Sequence, residues 1–255
     1  MVRGREQDTT GSDSARGGEP SMRISCRLFA LALLALANTV VTADYQRGQE
    51  AYDAGDPAAA LEAWRASGEA GDVRSQYRLG RLYEDGRGTP QDTIEAMNWY
   101  ERAAKQGHAQ AMMRLAFLLQ YNPGQEPDHA EAVRWYREAA EAGLPEAQHN
   151  LANAYMEGRG VERAPEEAVH WYLRAAEQWH LPAMLGLAHL YSDGIGVPVD
   201  LVQAYKWVEL PAAEGFRVAR VLRDMLAARM TEEQIEAGYQ AATQWRQEHG
   251  RRQAD

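Results

Sequence analysis

Cysteine is all but absent from this 255-residue sequence: there is one, Cys26, close to an amino-terminal apolar run. A chain cut after residue 43 would keep none, which excludes a disulfide framework, a thiol nucleophile and a zinc–thiolate site. Long apolar runs are missing as well. The stretch from Leu28 to Ala37 falls well short of the roughly 20 residues needed to cross a bilayer. Positive charge is scarce: 27 basic residues stand against 37 acidic ones, a formal −10, and no block of Lys or Arg forms a stripe. Nucleic-acid binding depends on neutralising phosphates, so this balance argues against such a partner. Catalytic signatures are wanting too. The histidines (His108, His129, His149, His170, His180, His189, His249) never take H-E-x-x-H spacing, and no serine sits in G-x-S-x-G. Carboxylates such as Glu141 and Glu177 fall on faces expected to meet water. No catalytic constellation, metal site or cofactor site emerges, and the chain reads as a non-enzyme.

What is present begins at the amino terminus. Arg23 and Arg27 flank the start of the apolar run, and Val41-Thr42-Ala43 supplies small residues before Asp44. This is the layout of a secretory signal peptide over 22–43, so the mature chain is expected to be exported, periplasmic or secreted, without stable membrane insertion. Residues 1–21 are polar and aperiodic and read as an unstructured extension, with Met22 as the expected true start. Five of the 27 basic and four of the 37 acidic residues precede Asp44, leaving 22 and 33, a formal −11.

The rest is organised by repetition. Trp99, Trp135, Trp171 and Trp207 lie 36 residues apart, with Trp64 standing 35 before the first. Leu79, Leu115, Leu151 and Leu187 keep the same step, as do Ala96, Ala132, Ala168 and Ala204. Shared spacing at several position types marks a repeat architecture, in which each unit buries surface only against its neighbours. Four units are read over 73–216 (73–108, 109–144, 145–180, 181–216). A degenerate helix pair over 44–72 precedes them, and capping helices over 217–250 follow. Within a unit the first helix carries a small residue, Leu four later, a second small residue and usually Tyr, all on one face. Gly86-Arg87-Gly88, Gly158-Arg159-Gly160 and Gly194-Ile195-Gly196 mark the turns, where positive φ calls for glycine; Asn122-Pro123-Gly124 is expected to do the same with asparagine. None of these triplets follows a strand or completes G-x-G-x-x-G, so a nucleotide loop is set aside. Asp92, Asp128 and Asp200 fall at N-cap positions for the second helix; Ala164 departs from the rule, with Pro165 supplying the helix start. Pro211 is expected to end its helix early.

The pattern L-G-x-x-Y…G-x-G…A-x-x-W-Y-x-x-A-A-x-x-G resembles the Sel1-like repeat, a short α-helical relative of the tetratricopeptide repeat. The resemblance implies an all-α fold, an α-solenoid of stacked antiparallel helix pairs in a right-handed superhelix, with the first helices lining a concave face. It also implies a scaffold that binds a protein or peptide rather than a catalyst. On that analogy the partner-binding positions are Tyr77, Met113, His149 and Leu185, with Arg81, Phe117, Asn153 and His189 beside them. Burial of these residues between repeats is the competing account. Two further readings stand beside the adaptor: a small-molecule or cell-wall-linked enzyme or binder, and an end-to-end oligomer. The first would need convergent polar groups in a pocket. A monomer is the expectation.

Overall fold

The computed structural model describes residues 41–122 and 126–250. The extension 1–21, Cys26, all of the expected signal peptide except 41–43, and the Pro123-Gly124 turn lie outside them.

Helix starts follow local chemistry. Asp56, Asp72, Asp92, Asp128 and Asp200 each accept a backbone N–H from three residues on, at 2.7–3.0 Å, and so satisfy one of the donors a helix leaves unpaired. Ala164 cannot do this, and Pro165 opens its helix with Glu166 and Glu167 in the first turn. The resulting order is α1 (41–53), α2 (Pro57–Glu69), α3 (Val73–Asp85), α4 (Thr93–Ala104), α5 (Ala109–Tyr121), α6 (His129–Glu141), α7 (Pro145–Glu157), α8 (Pro165–Ala176), α9 (Leu181–Asp193), α10 (Leu201–Ala213), α11 (Arg217–Ala227) and α12 (Glu232–Glu248). Consecutive helices pack on one another from α2 through α11, and no strand occurs among the described residues. This is a solenoid of antiparallel helix pairs.

The second helices supply the bulk of the core. Trp99, Trp135, Trp171 and Trp207 are buried, as are Tyr100, Tyr136, Tyr172 and the alanines around them. Small first-helix positions exist to receive those rings. A Cβ on Gly80 would lie 2.5 Å from Tyr100 Cε1, so the tyrosine has taken the space. Alternate units add a polar staple. Gln76 donates to the Gly68 carbonyl (2.9 Å) and accepts from Gln106 (2.8 Å). Gln148 does the same with Ala140 (3.1 Å) and Gln178 (2.9 Å). Each pair ties three consecutive helices together with its buried amide satisfied.

Turn glycines do two jobs. Gly86, Gly158 and Gly194 hold φ of 64–70° as helix C-caps. The second glycine of each triplet is also at positive φ and additionally meets the preceding unit. A Cβ on Gly88, Gly160 or Gly196 would fall within 2.5 Å of backbone atoms of Pro57, His129 or Pro165, the first residues of α2, α6 and α8. Asn122 breaks the expectation: its φ is −73°, extended rather than left-handed. Proline follows it, and the ring of Pro123 pushes the preceding residue into the extended region.

The carboxy-terminal end also departs from expectation. Pro211 lies inside α10, which continues to Ala213 instead of ending early. Only the helical bond to the Trp207 carbonyl is forgone, close to a terminus where such bonds already run out. Thr231 and Gln234 form a capping box (3.2 and 3.0 Å). On α12, Tyr239 is exposed; Gly238, Ala242 and Trp245 are buried, with Gly238 beneath the Tyr205 ring. Helix α12 packs on α10 rather than pairing with α11.

Candidate functional site: the face of the first helices

Helices α3, α5, α7, α9 and α11 occupy equivalent places, and the eight candidate residues lie on the first four. The structure does not gather them into one pocket. Tyr77 is half-buried, stacked on His108 (centroids 4.6 Å) with Tyr100 5.8 Å away. Arg81 is half-buried and pairs with Asp85 at 3.4 Å. Met113 and Leu185 lean against the core. Phe117 is exposed at 39%, with the Tyr121 ring 4.9 Å away and the Arg114 guanidinium over it. His149 sits between His180 (5.0 Å) and Tyr172 (5.7 Å), while Asn153 accepts the Tyr172 hydroxyl at 2.5 Å. His189 is exposed and faces Asp193 at 3.4 Å. His149 and Asn153 are therefore held by interhelix contacts, whereas Phe117 and His189 meet solvent.

Two histidines beside these positions serve as helix caps. Nδ1 of His108 accepts from the Ala111 N–H (3.2 Å) and Nδ1 of His180 from the Ala183 N–H (3.3 Å). That places the ring proton on Nε2 and favours the neutral form. Burial lowers the pKa of His108 and of His149. Burial takes His180 down to about 4, aided by neighbouring His149.

The middle of the face is closed by interhelix polar contacts. Tyr100 donates to Glu84 (2.6 Å), which also receives Arg114 of α5 through its Nε at 3.2 Å and its terminal nitrogen. The two ends are open and differ in character. At the amino-terminal end a cleft of about 340 Å³ is lined by Tyr45, Arg74, Tyr77, Arg78, Arg81 and His108. Spacings of four and three put Arg74, Arg78 and Arg81 on one side of α3, so a basic stripe exists that no contiguous block in the sequence reveals. At the other end a cavity of about 190 Å³ lies among Leu185, His189, Val208, Leu222, Met225 and Leu226.

Helix α11, expected to be a capping helix, turns Val218, Val221, Leu222 and Met225 to solvent, 40–64% exposed. These residues were missed as candidates although the 36-residue step reaches them: Leu185 leads to Val221 and His189 to Met225. The cap reading concealed them. Its own core is thin, with Ala219 and Leu226 buried and Arg223 in the register of Leu187, paired to buried Glu209 at 3.3 Å. Among the described residues no three His, Cys, Asp or Glu side chains could together hold a metal ion, and no helix is long and apolar enough to cross a membrane.

A solenoid of antiparallel helix pairs with its variable positions along the first helices is the architecture of a helical repeat scaffold. Comparison with known proteins then fixes the family. The Sel1 repeat model matches residues 73–108, 109–144, 145–178 and 181–216. The chain belongs to the Sel1 repeat family. It is 31% identical to a protective antigen present in uropathogenic Escherichia coli strains and displaying an SLR fold, over 82% of this chain and 46% of the antigen (TM-score 0.75). It therefore spans a little under half that protein's length. A Sel1 repeat protein from Oxalobacter formigenes is 30% identical over 84% of this chain and 87% of its own (TM-score 0.66). Among curated proteins none matches the chain in sequence.

Proposed function

We propose that this protein is a non-catalytic scaffold of the bacterial envelope or secreted space that binds a protein segment along the face of its first helices. Repeats of this family serve in general as protein–protein interaction modules, which supports the coarse reading. The observation that carries the finer one is the apolar stripe of α11. Four large apolar side chains at helical spacing, exposed and continuous with a cavity between α9 and α11, are what a soluble protein keeps for a contact surface. On this reading Phe117, Leu185 and His189 extend the contact toward the middle units, while Tyr77 and Arg81 belong to its amino-terminal end. Met113, His149 and Asn153 act chiefly by holding neighbouring helices. Residues 44–72 and 217–250 close the ends of the repeat array, and the segment 22–43 directs export.

The test is capture of partners from a cell-envelope extract. Val221→Ser with Met225→Ser changes only exposed positions, so stability should stay within about 0.5 kcal/mol of the parent. Binding should fall at least tenfold. Undiminished capture by this double variant would remove the proposal.

A further inference from the structure

The amino-terminal cleft has a chemistry unlike the rest of the chain. In a protein of formal charge −10, Tyr45, Arg74, Tyr77, Arg78, Arg81, His108 and Gln110 line it without one carboxylate. Asp72 and Asp85 stand at its edge, the first against Arg74 (2.9 Å) and the second against Arg81 (3.4 Å). Arg78 makes no ion pair among the described residues. Its charge is left for something else.

The guanidiniums are held by their faces. Arg74 lies over the Tyr45 ring (4.1 Å) and Arg78 over the Trp64 ring (5.8 Å). Trp64 is itself fixed, fully buried and donating to the Tyr45 carbonyl at 3.1 Å. Stacking occupies the plane of a guanidinium and not its N–H edge, the edge that meets a carboxylate through two parallel hydrogen bonds. Arg74 already spends its Nε and one terminal nitrogen on Asp72 (3.3 and 2.9 Å), whereas Arg78 has no carboxylate at its edge among the described residues. Arg81 is paired with Asp85 through a terminal nitrogen (3.4 Å), and its Nε is buried and closed to a ligand. His108, its Nδ1 committed to the Ala111 N–H, has only the Nε2 proton left to give. The cleft thus offers donors and no charged acceptor.

We infer that this cleft binds a carboxylate-bearing peptide segment, with Arg78 as the principal anion contact and Arg74 and Arg81 beside it. The inference rests on the scaffold reading above and names the partner's chemistry: acidic where it meets α3, apolar where it meets α11. Successive arginines one helical turn apart are about 5–6 Å from each other. Alternate side chains of an extended peptide are about 6.6 Å apart, so two acidic residues of an extended strand can reach two arginines at once.

The experiment uses fluorescence anisotropy of the full mature chain with labelled decaglutamate, decaglutamine and a single-stranded decanucleotide. Decaglutamate should bind at low salt and weaken as ionic strength rises, and decaglutamine should bind at least tenfold more weakly. Arg78→Glu should abolish decaglutamate binding, and Arg74→Gln should weaken it, each with unchanged circular dichroism. The Val221→Ser/Met225→Ser variant should bind decaglutamate as the parent does. Equal affinity for the two peptides, indifference to Arg78→Glu, or tighter binding of the oligonucleotide would overturn the inference. Failure of decaglutamate with partner capture still lost in the α11 variant would sink the carboxylate site and leave the scaffold reading standing.

Discussion

At the scale of single residues, glycine and one tryptophan show how the repeat tolerates or resists change. Gly143 and Gly160 both sit at positive φ (94° and 70°), yet a Cβ on Gly143 meets nothing within 4 Å, whereas one on Gly160 would lie 2.0 Å from the His129 carbonyl. Gly143→Ala should cost about 1 kcal/mol through backbone strain alone. Gly160→Ala adds a backbone clash between units and should cost about 3 kcal/mol or more, as read by urea denaturation. Trp179 stands where Gly71, Gly107, Gly143 and Gly215 close other units, and it keeps their left-handed conformation at φ 60°. Strain of this kind persists where contacts outweigh it. The indole donates to the His249 carbonyl (2.7 Å) and meets Trp245 edge-on at 5.1 Å, fastening the end of α12. Trp179→Gly loses those contacts and relieves the strain; Trp179→Ala loses them and keeps it. The alanine variant should be the less stable of the two by about 1 kcal/mol, and hydrogen exchange near the end of α12 should quicken in both. Its tie to a helix some seventy residues on depends on where α12 folds back, which no spacing encodes.

At the scale of elements, the starts of the first helices link stability to pH. His180 caps α9 as a neutral ring. Folded, it stays unprotonated down to about pH 4, whereas the unfolded imidazole takes its proton near 6.5. Between those values the unfolded chain binds more protons, so stability falls as pH drops through that window. The ring is partly open to water, and the loss is on the order of 1 kcal/mol rather than the several that the full shift implies. His180→Asn keeps a capping acceptor and cannot titrate, so the fall in urea midpoint between pH 7 and pH 4.5 should be smaller in this variant. His108 and His149, both lowered by burial, and Glu131, lowered by its bond to Arg134, contribute to the slope in the same sense. Much at this scale was legible in sequence. Aspartate caps, the recurring tryptophans and alanines and the turn glycines are local rules, and local rules leave local traces. The staples Gln76 and Gln148 were not: glutamine carries no burial signal, and its partners lie on the helix before its own and in the turn that closes the helix after it. Nor was the splay of α11 from α12. A stripe of Val and Leu reads as a packed face, and only the placement of α12 on α10 shows that nothing within the described chain covers it.

At the scale of the whole molecule, the repeat sets the architecture and the departures from it set the proposed function. Four units keep their packing positions while the exposed positions on the first helices change character along the array. They run from the arginines of α3, through the interlocked polar contacts of α5 and α7, to the apolar stripe of α11. The family and the helix-pair stacking followed from a 36-residue step. The candidate site followed only in part, because exposure depends on where each neighbour ends rather than on register alone. Replacing single residues by a photoreactive amino acid in the mature chain, one at a time in cells, tests the scaffold proposal most directly. Phe117 and Met225 probe the first-helix face, and Glu138 on α6, half-buried with its side chain 42% exposed beside Arg134, probes the opposite layer. The account predicts a discrete protein adduct from Phe117 and Met225 and none from Glu138. Adducts from Glu138 alone, with none from the first-helix positions, would contradict it.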